Sequence, residues 1–378
     1  MSQPLTPSVH SAPPTTTALT DAALPNTTES NSTNPGSPTP SLHTTQRPPS
    51  PLENTDAAGG VDTSAHTAPV ARTQTSDSTS SSSALSTQTE NEIGVLTKAA
   101  LSGDASAQYE LGKRYGFGDG VERNDKEAAN WITNAANQGN PEAQFTLGLL
   151  HLAGRGVTKD EAQAVYWYLK AANQNHSDAQ FNLGLMYVTG RGIEQNDQQA
   201  VRMFTLSAQK NHAEAQFNLG LMYQTGQGVE KNVVKAFEWF TKAAEQGYSE
   251  AQIFLAKMYL DGVGVEQDIA RAIRMLHALA ELDNTDAYFL LGALYASDQY
   301  EQQDYTLAAN WFRMGAEQGD SNSQFNLGTM YEFGNGVNQD INYAIRWYYL
   351  AAQQGHPEAI GNLRILQGDL LSSKPEGA

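Results

Sequence analysis

His176 and His212 stand 36 residues apart, and His356 lies four such steps further on. Imidazoles bind metals and move protons, so this regular spacing is the first pattern to test for chemistry. A 36-residue step places the three on different structural units. Adjacent units would be separated by roughly 10 Å, the interaxial distance of packed helices, which is beyond the reach of one zinc ion. They are expected as surface turn residues, and no metal site is expected. Glycine pairs recur as Gly118-Asp119-Gly120, Gly190-Arg191-Gly192 and Gly334-Asn335-Gly336. Phosphate loops use such glycines, but there a strand precedes them and Lys-Ser or Lys-Thr follows, which is not the context here. Helix-terminating turns account for them. Arg155 and Arg191 share one loop position in adjacent units, where they could grip an acidic partner. Ser, His and Asp are abundant, yet none sits in a G-x-S-x-G elbow or an H-E-x-x-H helix. The chain has 0 cysteines, which removes disulfides, thiolate metal sites and cysteine nucleophiles. No catalytic residue and no cofactor is expected.

The elements that would position these residues come from the 36-residue step itself. Alanine recurs at Ala107, Ala143, Ala179, Ala215, Ala251 and Ala287, then Ser323, then Ala359. Five residues on, the column reads Gly112, Gly148, Gly184, Gly220, Ala256, Gly292 and Gly328. An aromatic column follows at Tyr115, His151, Tyr187, Tyr223, Tyr259, Tyr295 and Tyr331. Another reads Trp131, Trp167, Met203, Trp239, Met275, Trp311 and Trp347, and is expected to fill the space between units. Each unit is predicted to be two helices, as in roughly Pro141 to Ala153 and Glu161 to Gln174. Glycine ends the first helix. An Asx column, Asn124, Asp160, Asn196, Asn232, Asp268, Asp304 and Asp340, predicts N-caps for the second. Glu127, Gln163 and Gln199, three residues later, are expected to close capping boxes. Residues 92–103 match a second helix alone and residues 357–370 a first helix alone, so seven pairs stand between half-unit caps.

Composition divides the 378 residues differently. Residues 1–90 hold 12 of the 15 prolines and none of the aromatics, so they have almost nothing to bury and are expected to be disordered. Within them lie a PxxP stretch at Pro48-Pro49-Ser50-Pro51, proline-directed sites such as Ser37-Pro38, and the sequons Asn26-Thr27-Thr28 and Asn31-Ser32-Thr33. The repeat domain is expected over 91–371, with a flexible C-terminus over 372–378. Formal charge is −18, of which −13 belongs to residues 91–378, an acidity that disfavours nucleic acid and favours partners with basic segments. No apolar run approaches the roughly 20 residues of a membrane span, and no signal peptide is seen, so a cytoplasmic location is expected.

The segments AQFNLGLMYVTGRGIEQNDQQAV from Ala179 and AQFNLGLMYQTGQGVEKNVVKAFEWFTKAAEQG from Ala215 resemble Sel1-like repeats, relatives of the tetratricopeptide repeat. The resemblance covers residues 92 to about 370. It implies an all-α fold, a right-handed α-α superhelical solenoid, acting as a protein–protein adaptor or scaffold without catalysis. Some distant members imply alternatives, an enzyme or enzyme regulator acting on an envelope glycan or β-lactam-like substrate; a self-assembling spacer is a further one. By analogy with tetratricopeptide repeats, the first helices would line a concave face. Phe145, Leu149, Phe181, Asn182, Leu185, Phe217, Asn218, Leu221, Phe325 and Asn326 would then contact a protein or peptide partner. Unit six departs from the pattern: Tyr288-Phe289-Leu290 replaces Q-F-N, and its loop from Ser297 to Gln303 lacks the paired glycines.

Overall fold

A computed structural model describes residues 91–298, 301 and 303–372. The PxxP stretch, the proline-directed sites, the sequons and residues 373–378 lie outside them. Among the described residues there are helices and no strands. A first helix, α1, spans 91–101. Seven pairs follow in register. They are α2 (Ala105–Phe117) with α3 (Asp125–Asn137), α4 (Pro141–Ala153) with α5 (Glu161–Asn173), and α6 (Ser177–Thr189) with α7 (Asp197–Ala208). Next come α8 (Ala213–Thr225) with α9 (Val233–Glu245) and α10 (Ser249–Asp261) with α11 (Ile269–Ala280). The last pairs are α12 (Thr285–Ala296) with α13 (Tyr305–Glu317) and α14 (Ser321–Phe333) with α15 (Ile341–Gln353); α16 (Pro357–Ser372) closes the array. The chain forms two compact bodies, one ending at Ala243 and the other beginning at Ala244.

Every predicted Asx residue caps its second helix. Asn124, Asp160, Asn196, Asn232, Asp268, Asp304 and Asp340 each accept a backbone N–H from the helix's first turn, an interaction contributing ~1 kcal/mol per helix. The capping boxes do not form. The backbone N–H that Glu127, Gln163 or Gln199 would accept is already donated to the carbonyl of the aromatic column, as in Asn124 to Tyr115 and Asn196 to Tyr187, both 2.9 Å. That bond ties the loop to the first helix and leaves the box no donor.

The core of each pair is a column one residue beyond the tryptophans. Ile132, Tyr168, Phe204, Phe240, Leu276, Phe312 and Tyr348 are all buried, and in six of the seven pairs they face the glycine column. A Cβ on Gly184 or Gly220 would lie 2.6 Å from the Phe204 or Phe240 ring, so the first helix can seat on the ring only without a side chain there. Where Ala256 replaces glycine, the second-helix column holds Leu276 in place of a ring. A second size exchange joins α13 to α14: Ser323 stands in the alanine column, and opposite it Gly315, whose Cβ would meet the Ser323 hydroxyl at 2.4 Å. The tryptophan column packs between units, as expected. Trp167 is buried among Ala129 and Ile132 of the preceding pair and Ala143 and Leu147 of its own, and Trp239 packs half-buried against the cluster around Phe204.

The glycine pairs end the first helices as predicted, with left-handed caps at Gly118, Gly154, Gly190, Gly226, Gly262 and Gly334. The second glycine has its own cause. A Cβ on Gly156 would sit 1.9 Å from the Asp125 carbonyl oxygen, because the loop rests on the start of the preceding unit's second helix. In unit six the first helix ends instead on Ser297 in an extended conformation. Tyr288 there turns its hydroxyl to Asp283 at 2.8 Å and stacks on Trp311 at 5.9 Å.

Two predictions follow from this packing. Gly184→Ala should lower stability by about 1–3 kcal/mol in urea titration, and adding Phe204→Leu should recover part of that loss; strictly additive losses would refute the glycine–ring pairing. The Tyr168 hydroxyl is buried without a hydrogen-bond partner, whereas that of Tyr348 bonds Thr329 at 3.0 Å and Glu332 at 2.6 Å. Tyr168→Phe should therefore be neutral or stabilising, while Tyr348→Phe costs about 1–2 kcal/mol.

Candidate functional site: the face of the first helices

The side chains that hold the units in register also define which surface is left over. In six units a glutamine at the start of the first helix donates to a carbonyl eight residues earlier, as in Gln144 to Ala136 and Gln180 to Ala172, both at 3.1 Å. In four of these units its own oxygen accepts from the residue 30 positions on: Gln138 to Gln108 at 2.6 Å, Gln174 to Gln144 at 2.8 Å, Lys210 to Gln180 at 3.2 Å and Gln354 to Gln324 at 2.9 Å. Sequence reasoning assigned these glutamines no role. The 30-residue offset between Gln columns was the signal that could have found them.

The loop arginines follow the same offset. Arg155 pairs with Asp125 at 2.9 Å and Arg191 with Glu161 at 2.6 Å, each reaching the first residue of the preceding second helix. Hydrogen bonding from Arg155 holds the Asp125 carboxyl below its ordinary value. Both guanidiniums are thus engaged within the chain rather than held out to an acidic partner, because the loop lies directly over that carboxylate.

The histidines are not surface turn residues. His176, His212 and His356 are half-buried at the N-cap position; Nδ1 of His176 and His356 accepts from the backbone of Ala179 and Ala359 at 3.3 and 3.4 Å, while Nδ1 of His212 can accept from Ala215, at 3.3 Å, only when the ring is neutral and turns to donor toward Glu214 once protonated. Each ring also stacks on a phenylalanine of the preceding unit: Phe145 with His176 at 4.8 Å, Phe181 with His212 at 4.7 Å, Phe325 with His356 at 4.6 Å. The stack pulls the imidazole off the surface. His212 in addition lies 3.3 Å from Asp178 and 3.1 Å from Glu214. Burial opposes its protonation, but the two carboxylates outweigh burial and raise it to about 9. His176 and His356 lack such a close pair of acids, and burial lowers them. Among the described residues no group of three or more His, Asp or Glu is placed to hold a metal ion.

The ten residues read from the sequence as partner contacts divide by burial. Phe217 is 0% exposed, Asn218 1%, Leu149 6%, Asn326 7% and Phe181 9%, so they support the face from beneath. Phe145, Asn182, Leu185, Leu221 and Phe325 are half-buried and reach the surface. Phe145, Phe181 and Phe325 are held between two rings, since each also packs on the core column of its own pair, as in Phe181 with Phe204 at 5.8 Å; Phe217 packs on Phe240 in the same way at 5.5 Å. Asn182, Asn218 and Asn326 donate to the carbonyl four residues back, at 2.9, 2.8 and 2.8 Å. No helix among the described residues is long and apolar enough to cross a membrane.

The Sel1 repeat family model matches residues 105–140, 141–176, 177–212, 213–248, 249–284, 285–320 and 321–356, the same seven units. The chain belongs to the Sel1 repeat family. It is similar to a protective antigen present in uropathogenic Escherichia coli strains displaying an SLR fold, at 35% identity and a TM-score of 0.64; the match covers 76% of this chain but only 60% of that one. It is also similar to a Sel1 repeat protein from Oxalobacter formigenes, at 34% identity and a TM-score of 0.60, covering 74% of this chain and 81% of that one. No protein of curated function matches the sequence.

Titration should expose the His212 pairing. The folded-state value of about 9 lies above the ordinary ~6.5, so its stabilisation is fully present below pH ~6.5 and lost as pH rises through 9. Asp178 and Glu214 are lowered by the hydrogen bond from His212, so their share is lost as pH falls through the carboxylate range. Urea unfolding from pH 6 to 9.5 should show a decline of about 1–2 kcal/mol after solvent screening of the half-exposed acids. In His212→Gln the decline should vanish; an unchanged slope would refute the assignment.

Proposed function

We propose that the protein is a non-catalytic interaction scaffold that binds a partner protein or peptide along its first helices. The observation that carries this reading is the composition of that face in the first body. Asn182, Leu185 and Leu221 reach the surface from adjacent helices α6 and α8, on a base of buried Phe181, Phe217 and Asn218 that cannot shift without disturbing the core. A rigid face with half-exposed apolar and hydrogen-bonding side chains keeps the ordering cost of binding low. Membership of the Sel1 repeat family supports the same reading, since tandem helix pairs of this kind expose long faces built from repeated positions. Phe325 and Asn326 place equivalent side chains on α14 in the second body.

Site-specific photocrosslinking tests this. A benzoylphenylalanine introduced at Leu185 or Leu221 should capture a partner in cells, and one introduced at the exposed Tyr166 on α5 should not. Capture from Tyr166 with none from the leucine positions would move the interface to the second helices.

A further inference from the structure

Hydrogen-bond direction distinguishes what the face of α6 and α8 can accept. On α6 the series Asp178, Asn182, Leu185 and Thr189 has spacing i, i+4, i+7 and i+11, which runs along one side of a helix. On α8 it recurs as Glu214, Asn218, Leu221 and Thr225, and α4 contributes Glu142 at the same position as the two acids. The contact of His212 with Asp178 brings the starts of α6 and α8 together. The donors of this strip are turned inward. Thr189 and Thr225 each spend their single hydroxyl proton on the carbonyl of Leu185 or Leu221, both at 2.9 Å. Asn182 and Asn218 each spend one of their two amide N–H groups on the carbonyl four residues back, which leaves one N–H and the Oδ1 acceptor. One of these acceptors is under-satisfied: Asn218 Oδ1 is buried with no hydrogen-bond partner, one turn beyond Glu214 on the same side of α8. That oxygen lies beneath the surface and is closed to a partner, so the acceptors a partner can reach are Oδ1 of the half-buried Asn182 and the hydroxyl oxygens of the exposed Thr189 and Thr225.

Charge agrees with polarity. Two carboxylates, Asp178 and Glu214, lie against the two ring nitrogens of one imidazolium, His212, and a third, Glu142, acts on His176 one unit earlier. Burial lowers His176, and the nearby cation, Lys210, is engaged by the Asn175 carbonyl and the Gln180 side-chain oxygen. Leu185 and Leu221 interrupt the polar groups with half-buried apolar surface.

The geometry points to a binding strip on α4, α6 and α8 for an extended segment of a partner protein that carries Lys or Arg side chains alternating with apolar ones. Its cations would lie at the carboxylates, its apolar side chains against Leu185 and Leu221, and its N–H groups toward the Asn182, Thr189 and Thr225 oxygens. This rests on the scaffold reading and adds the partner's chemistry to it.

Three labelled ten-residue peptides test it with the full chain: alternating Lys-Leu, Ser-Leu and Glu-Leu, with binding followed by fluorescence anisotropy. The Lys-Leu peptide should bind, and more weakly as salt rises from 50 to 500 mM. Its affinity should fall about tenfold in Asp178→Asn/Glu214→Gln and by a smaller factor in Glu142→Gln, which alters no ion pair and guards against misfolding of the first variant. Glu230→Gln/Glu238→Gln, which removes two exposed acids elsewhere in the same body, should leave affinity unchanged. Equal loss in that control would mean general attraction to an acidic chain and overturn the site. If Ser-Leu or Glu-Leu binds as tightly, and Leu221→Ala abolishes it, the scaffold face stands and the cationic specificity falls. If none of the three binds, both fall.

Discussion

Close approach of a glycine to a buried ring is the contact on which each helix pair depends. With no Cβ at Gly148, Gly184, Gly220 or Gly292, the first helix settles directly on Tyr168, Phe204, Phe240 or Phe312, and the ring fills what would otherwise be a cavity between two helix backbones. The exchange at Ala256 and Leu276 makes the rule visible by breaking it on both sides at once: a methyl group is added where the ring is taken away. Ser323 and Gly315 do the same at the boundary between two units. Local volume is conserved while the residue types change, which is how a repeat drifts without losing its packing.

Register between units is kept by polar rather than apolar contacts. The glutamine chain, the loop arginines over Asp125 and Glu161, and the backbone bonds from Asx caps to the aromatic column all join positions a fixed offset apart. Buried polar groups of this kind contribute little net energy when paired and cost much when unpaired, so they act against any slip of one unit along another. The phenylalanine–histidine stacks belong to the same set, and they explain why the histidines became caps. A ring held against Phe145 or Phe325 has its nitrogen where the first helix needs an acceptor.

The proposed function rests on what these demands leave unspent. Glycine, ring, glutamine and histidine columns are consumed by packing and register, and the face of the first helices is built from the positions between them. There the Thr hydroxyls and one N–H of each Asn are bonded within their own helices, and Asp178, Asn182, Leu185, Glu214 and Leu221 reach the surface. A scaffold needs such a surface to be rigid in shape and variable in detail, and a repeat supplies both because the supporting columns do not change when the outward ones do.

Periodicity alone determined much of this protein: seven helix pairs, their N-caps at the Asx column, their glycine ends and their end units, because each of those depends on residues within one turn or one unit of each other. The family was legible for the same reason. What only the tertiary structure decided are relations across units. That Phe181 and Phe217 lie beneath the face, that Arg155 and Arg191 are engaged, that the capping boxes lack a donor, and that His212 is held protonated between Asp178 and Glu214 all depend on groups brought together from about 10 to 30 residues away or from the next pair. A 36-residue column shows that a position matters. Which neighbour fills the space beside it is set by helix approach, and that distance is fixed by the absent Cβ of a glycine and the size of the ring it meets.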